Sequence, residues 1–416
     1  MTATVTDPSF LSRERLAGYD PHVLSGTRVA LVGAGALGQN AALALALSGV
    51  RTLIVVDPDA FEESNRTRSP FYQKDAPKAP AVAEGFLRSA THPGAEAYHH
   101  LGLVQAVGDL LAGARGPWYP HALISAVDSN ETRAYLSELC RRSRLPLVEA
   151  GFEGPQLAVT VIANHPGIPD EPCWGCGRRS LRDASTRGLC TLYARQAEAA
   201  GFSPAIQSAA QVAGALVAEA AIGFAHAHLL SDGFETDPAL LPRYVPLAGH
   251  RWHLDIRTGR SVLTTLVSDP DCRLDHVPFG EEAARVPGEP ATLYELFEAL
   301  RRLGLPCSEI QLSEPVVVSL PCAGCGRPVV VNQPRYAVTS APRCPGDSCS
   351  PGSAPGLPDL RSVLRASDAV LLDVPLPRLG LGPGAVARAD GALVQLPGTV
   401  PGVFPRLSLT PHSEEE

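Results

Sequence analysis

The sequence lacks an excess of positive charge: 35 Lys and Arg stand against 43 Asp and Glu, a formal net charge of −8. That argues against a nucleic-acid protein acting through bulk positive charge and leaves a local patch as the only route to one. Ten cysteines in 416 residues are too few for a disulfide scaffold. The opening MTATVTDPSFLSRER has no apolar h-region, so secretion is not expected. The most apolar long stretch, 205–230, holds Gln207, Gln211, Glu219 and two His. That polar load suits a buried helix of a soluble protein, so no membrane span is expected. The expected compartment is the cytoplasm, where reduced thiols fit metal binding better than disulfides. There is no internal repeat, no G-x-S-x-G and no H-E-x-x-H; the pair His99-His100 has no partners at metal spacing and is expected at the surface.

What is present is enough for a core: hydrophobic residues make up 45% and charged residues 19%. At roughly 100–200 residues per domain, the length suggests two or three domains. Gly (38) and Pro (39) are abundant, so many turns are expected. RVALVG (28–33) is a short β-branched run, followed by glycines, an Ala/Leu-rich stretch to Ser48 and TLIVVD (52–57), which together make a βαβ unit. HALISAVD (121–128), ETRAYLSELCRRS (131–143) and LPLVEAGF (145–152) continue as strand, helix and strand. This alternation predicts an α/β, doubly wound, Rossmann-like and mostly parallel sheet with helices on both faces. QLAVTVIA (156–163) is a longer β segment, and 251–267 alternates around a Thr-Gly turn as a hairpin does. Residues 291–304 have helical apolar spacing, 315–345 are short strands bracketing cysteines, and 350–360 and 374–405 are rich in Pro and Gly.

Gly33-Ala-Gly35-Ala-Leu-Gly38 matches G-x-G-x-x-G between that first strand and helix. Gly33 allows the tight turn, Gly35 close approach of the backbone to phosphate, and Gly38 close helix–strand packing. The helix N-terminus offers an anion its free N–H groups and its positive dipole end. Asp57, at the end of the next strand, is placed to accept from a ribose hydroxyl. Alone, the motif says only that a nucleotide binds, most often NAD.

The following residues shift the reading from NAD to ATP. Asp57 and Asp59, Ser64-Asn65, Arg68 and Lys78-Ala79 stand in the order and spacing of the ATP-binding stretch of the ubiquitin-activating-enzyme-like superfamily, the ThiF/MoeB-type adenylyltransferases, which this sequence resembles. Further on, SAVDSNETRAYLSELC (125–140) is similar to that family's Asp-Asn/Ser-x-x-x-Arg motif, and SRERLAGYD to its short Arg-containing opening. The resemblance implies that Arg68 and Lys78 stabilise phosphate charge, that Asp128 holds Mg²⁺, and that Asn130 and Arg133 support its loop. It also implies that Arg13 is lent to ATP across a homodimer. By position alone Asp128 is also a helix N-cap candidate, and the two roles are compatible.

Cys173-Trp-Gly-Cys176 is a C-x-x-C in a Pro/Gly-rich loop, typical of a zinc knuckle. The resembled family places a partner pair after a terminal hairpin. Here Cys272-x-x-x-His276 follows the hairpin, which implies a Cys₃His zinc site. Cys322/Cys325 and Cys344/Cys349 have the spacing of a zinc ribbon; a rival assignment joins Cys173/Cys176 to Cys322/Cys325. Cys190 stands where some members of the family capture the activated carboxylate, with Arg187 nearby to lower its pKa. Cys140 and Cys307 are expected to be core thiols.

The resemblance spans about 10–280 and implies an adenylyltransferase using ATP and Mg²⁺. Its expected partner is a small β-grasp protein, ubiquitin-like or a sulfur carrier, with a C-terminal Gly-Gly. Three parts are expected: an adenylation domain at 1–280, a helix plus zinc-ribbon-like segment at 281–350, and a Pro/Gly-rich segment at 351–416. Adenylation of a peptide C-terminus without a thioester, and a nucleotide-binding scaffold with a zinc ribbon for partners, stay open as alternatives. An NAD oxidoreductase leaves Asn65, Arg68, Lys78 and Asp128 unexplained.

Overall fold

The structure is a computed structural model. It describes residues 15, 17–112, 118–153, 158–165, 172–176, 206–231, 238–272, 274, 283–338, 340, 342–344, 349, 358–398 and 402–407. These fall in two compact units. The first is drawn from Met1–Val104, Pro120–Pro278 and Gly402–Glu416, the second from Gln105–Tyr119 and Phe279–Pro401. Residues from both 281–350 and 351–416 contribute strands to the second unit.

The first unit opens with a short helix α1 (Pro21–Gly26) and β1 (Arg28–Val32), followed by α2 (Ala36–Leu47) and β2 (Thr52–Asp57). Then come α3 (Lys78–Ser89) and β3 (Glu96–Leu101). The second unit receives α4 (Gly108–Ala112) from the middle of this sequence. The first unit resumes with β4 (Ala122–Ser125), α5 (Asn130–Arg142), β5 (Leu147–Glu153), β6 (Ala158–Asn164), α6 (Gln207–Leu229), α7 (Leu241–Tyr244), β7 (His250–Asp255) and β8 (Ser261–Thr265).

Its nine-stranded sheet runs β15-β3-β2-β1-β4-β5-β6-β7-β8, where β15 is Arg406–Leu407. The strands β3-β2-β1-β4-β5 are parallel, as the βαβ pattern requires. The sheet is mixed rather than mostly parallel, because β6, β7, β8 and β15 all join antiparallel. Between β5 and β6 only residues 154–157 intervene, too few for the dozen or so a parallel crossover needs. The hairpin β7–β8 turns through Asp255–Arg260, with Gly259 at φ +68°.

The core explains the composition. Val29, Leu31, Leu53, Val55, Ile124 and Val148 point to one face and pack with apolar residues of α2, α3 and α6. The intervening Ala30, Val32, Ile54 and Leu123 are buried too, and α5 packs on β4 and β5. Central strands buried on both faces read as continuous apolar runs, which is why they stood out in the sequence. By length and composition α6 could cross a membrane, but its buried residues pack on the sheet and on α2. At Gly214 an added Cβ would lie 2.7 Å from both Ala41 N and Asn40 Cβ, so the α2–α6 crossing demands glycine.

His99 and His100 are not simply at the surface. They lie on β3 and are half-buried: Pro405 O accepts from His99 N at 3.3 Å, and Phe404 packs edge-on against His100. The returning chain end that covers them is distant in sequence and has no local signal.

The second unit has β9 (Ala284–Arg285), α8 (Leu293–Arg302), β10 (Glu309–Pro321), β11 (Pro328–Pro334), β12 (Asp359–Arg365), β13 (Val386–Ala389) and β14 (Ala392–Gln395). Its sheet runs β11-β10-β13-β14-β9, with β12 also on β10. Helix α8 is capped by Thr292, whose hydroxyl accepts from Glu295 N at 3.3 Å, and buries Leu293, Leu296, Phe297 and Leu300. Strands β10 and β11 bracket Cys322 and Cys325.

Candidate active site

Sheet order places the site. From β1 the chain passes through α2 to β2 on one side, and β4 lies on the other. The carboxyl ends of β1 and β4 therefore diverge into helices on either side of a topological switch point, where open α/β sheets bind ligands. The glycine loop follows β1, Asp57 ends β2, and Asp128 lies three residues beyond β4.

Two of the three glycines are required by the protein itself. Gly33 has φ +94°, and a Cβ there would lie 2.6 Å from Ala126 O. A Cβ on Gly38 would lie 2.0 Å from Gly33 O. Gly35 differs: among the described residues nothing lies within 4 Å of where its Cβ would be. It is the N-cap of α2 without a side-chain cap, so the helix start faces open space with its N–H groups available to an anion.

Asp57 is 6% exposed. Its Oδ2 accepts from Ala34 N at 2.6 Å and its Oδ1 from Asp59 N at 2.8 Å. Burial pushes its pKa up, while these two N–H groups and Lys78 pull it back. Each carboxylate oxygen thus already holds the backbone of the glycine loop or of its own strand end, and keeps further lone-pair capacity for a hydroxyl. Asp59 is exposed and meets Lys78, the first residue of α3: Nζ lies 3.0 Å from Asp59 Oδ2. The Lys78 side chain is only 13% exposed.

Arg68 closes a 3₁₀ turn, Glu63–Arg68, and its half-buried side chain donates from Nη1 to Ser64 O at 2.6 Å. Asn65 caps the start of the same turn, its Oδ1 accepting from Glu62 N at 2.9 Å. Asp128 is exposed, and the N-cap of α5 is Ser129, whose hydroxyl accepts from Thr132 N, so Asp128 is not the cap. Asn130 is the first residue of α5. Arg133 donates from Nε and Nη2 to Val127 O at 3.0 and 2.7 Å, and its Nη1 lies 3.3 Å from the buried Glu149. These bonds tie the Asp128 loop to β5. A Cβ on Gly151 would lie 2.9 Å from Arg133 Nη2, so glycine there makes room for the guanidinium.

Arg13, Cys190 with Arg187, and His276 lie outside the described residues. Two contributors escaped the sequence reading. Glu149 is an acid flanked by apolar residues inside a strand, and Gln39, with Asn40, directly follows the glycine motif at the start of an Ala/Leu-rich helix. A polar side chain at the edge of an apolar stretch was their only signal.

The thiols gather in two clusters. In the first unit, Cys173 Sγ lies 3.5 Å from Cys272 Sγ and 3.7 Å from Cys176 Sγ. N–H groups of Gly175 and Asp269 point at the sulfurs of Cys173 and Cys176. In the second, Cys322 lies 3.3 Å from Cys349 and Cys325 lies 3.5 Å from Cys344. The N–H of Gly324, then those of Cys325 and Cys344, hold the Cys322 thiol down to about 5. A Cβ on Gly324 would lie 2.7 Å from Cys349 Sγ, so this knuckle needs glycine. Among the described residues, Cys173, Cys176 and Cys272 group within the first unit and Cys322, Cys325, Cys344 and Cys349 within the second. Cys140 is buried in α5, and burial pushes its thiol up; Cys307 is partly buried.

A mixed Rossmann-like sheet with a glycine loop at its switch point defines the class. The chain belongs to the ThiF family, whose model matches residues 17–260. The SAMP-activating enzyme E1 of Haloferax volcanii is 34% identical over 161 residues, 37% of this chain and 54% of that protein. The match therefore spans about half the length of that relative. Among solved structures, E. coli MccB with ATP is similar over 65% of this chain and 75% of that one, at 18% identity and a TM-score of 0.49. PaaA is similar over 64% and 76%, at 17% identity and a TM-score of 0.44.

Proposed function

We propose that this protein adenylates the C-terminal glycine carboxylate of a small β-grasp protein, ubiquitin-like or a sulfur carrier, that ends in Gly-Gly. Membership of the ThiF family and a relative named as a SAMP-activating enzyme support an activating enzyme. One observation carries the reading. A chain of bonds runs from Ala34 N–H through Asp57 to Asp59 and on to Lys78. It ties a largely covered ammonium to the loop whose open Gly35 end suits phosphate.

In the reaction, a carboxylate oxygen attacks the α-phosphorus of ATP. The new acyl–O–P bond forms as the bridging Pα–O bond breaks, and pyrophosphate leaves with the bonding pair. Arg68, Lys78 and the start of α2 stabilise the charge that develops. Asp128, an exposed hard carboxylate, suits Mg²⁺, which would supply further neutralisation of phosphate charge. Asn130 and Arg133 hold the Asp128 loop. Cys190 is the proposed acceptor of the acyl group, its thiolate displacing AMP to give a thioester. Arg13 acts across a homodimer, and the protein works in the cytoplasm.

Both cysteine clusters fit Zn²⁺. Tetrahedral zinc with sulfur at ~2.3 Å sets neighbouring sulfurs about 3.8 Å apart, close to the separations found. Cys173, Cys176, Cys272 and His276 would hold one ion; Cys322, Cys325, Cys344 and Cys349 would hold the other. Zinc there would be structural, since all four positions are taken by protein.

The test is ATP–pyrophosphate exchange with a panel of ubiquitin-like and sulfur-carrier proteins ending in Gly-Gly. Exchange that needs the terminal Gly, and that falls about 100-fold in Arg68→Ala and Asp128→Ala, is expected. No exchange with any such protein, together with no effect of Asp128→Ala on ATP turnover, overturns the proposal. A Cys190→Ala variant that still forms the adenylate but no thioester separates the two steps.

A further inference from the structure

The side chain of Gln39 is fully buried in the first turn of α2. Its amide makes three hydrogen bonds. Nε2 donates to Ala34 O at 3.0 Å and to Ser69 Oγ at 3.1 Å, and Oε1 accepts from Phe71 N at 3.0 Å. Ala34 lies inside the glycine loop, and Ser69 directly follows Arg68. One amide therefore joins the loop after β1 to the segment that carries Asn65 and Arg68, some thirty residues away in sequence.

The chemistry of the three partners fixes the amide's orientation. A carbonyl oxygen only accepts and a backbone N–H only donates, so a flipped amide would oppose like to like at both ends. Glutamate would bring an acceptor against Ala34 O. Leucine and methionine fill similar space but leave Ala34 O and Phe71 N–H without this partner. Of the side chains of this reach, only glutamine supplies two donors and an acceptor here. The far side of the segment is held by packing: a Cβ on Gly85 would lie 2.3 Å from the Phe71 ring, so α3 carries glycine where Phe71 lies against it.

We infer that Gln39 is a positioning residue, which fixes Arg68 at the phosphates by clamping its segment to the glycine loop. This rests on the proposed role of Arg68 toward ATP. Among the described residues Arg68 bonds within its own turn, to Ser64 O, so its place relative to the loop depends on what holds Ser69 and Phe71. Without the clamp the loop can still receive a nucleotide, but the guanidinium no longer arrives with it.

A double-variant cycle with Mg-ATP as the only ligand tests this, read by calorimetric affinity. Arg68→Ala is expected to weaken ATP about 10-fold, the loss of one charge-assisted bond. Gln39→Leu should weaken it to a similar degree, and the double variant should match Arg68→Ala within about twofold. Ser69→Ala, which removes one of the three bonds at a partly buried position, should give a smaller loss that likewise vanishes when Arg68 is absent. Hydrogen exchange gives the local readout. ATP should protect Gly33–Gly38 in wild type and in Gln39→Leu, but 64–71 in wild type only.

Losses that add in the double variant, or ATP protection of 64–71 retained in Gln39→Leu, overturn the inference. If Gln39→Leu does not fold, Ser69→Ala decides by the same cycle, and no coupling to Arg68 overturns it. An Arg68→Ala variant that binds ATP as wild type does overturns the role of Arg68 itself, a failure recognisably separate from that of the clamp.

Discussion

Asp57 accepts the backbone N–H of Ala34 at 2.6 Å, so the acid that ends β2 braces the glycine loop that follows β1. In sequence it appeared as a ligand group for a ribose; in the fold it is also part of the loop's own support. Asp57→Ala leaves the N–H groups of Ala34 and Asp59 without that acceptor. Of these the Ala34 N–H is buried, and left unpaired it costs about 1–3 kcal/mol. We expect a loss of stability in that range and weaker ATP binding, measured by denaturant unfolding and calorimetry. Unfolding and ATP affinity both equal to wild type would show that the bond does not brace the loop.

Arg133, half-buried, pairs with the buried Glu149, their side chains 16% and 4% exposed. Breaking such a pair from one side leaves an uncompensated charge and costs about 3–5 kcal/mol. Arg133→Met should therefore destabilise far more than Asp128→Asn, which changes an exposed side chain and should stay within about 0.5 kcal/mol. Chemical denaturation of the two variants checks the contrast, which fails if they unfold alike.

His121 sets a pH dependence. Its Nδ1 accepts Arg28 N–H at 3.0 Å and its ring lies 5.4 Å from that of His228. Burial, then His228 and Arg28, push its pKa down from 6.5 to about 3. Burial likewise lowers His165 to about 4. The folded-state values lie below the ordinary one, so below pH 6.5 the unfolded chain takes up protons that the folded chain refuses. This contribution to stability is complete above pH 6.5 and is lost as pH falls toward 4 and then 3. The slope is at most about 1.4 kcal/mol per pH unit for each His. His121→Asn, whose Oδ1 can still accept from Arg28 N–H, should flatten the acid limb of the stability–pH curve. An unchanged limb would remove His121 as its source.

If both thiol clusters hold zinc, purified protein should contain two zinc ions per chain by mass spectrometry. Cys272→Ser and Cys344→Ser should each remove one, and a chelator should lower the melting temperature. A content of one zinc in wild type, or two in Cys272→Ser, contradicts the assignment.

The sequence by itself determined the parallel half of the sheet and the glycine loop. Strands buried on both faces must be apolar runs, and a turn with Gly33 at φ +94° and no room at Gly38 must be glycine. It also determined that Cys322 and Cys325 sit between paired strands, since knuckle spacing is local. Tertiary structure alone decided what depends on distant partners. It brought Cys272 within 3.5 Å of Cys173, assigned the α5 cap to Ser129, covered His99 and His100 with the returning chain end, and satisfied Gln39 and Glu149. Backbone turns and apolar periodicity are set by neighbours within a few residues, so they can be read along the chain. A buried amide or carboxylate is stable only against the groups that the completed fold brings to it, and those lie far away in sequence.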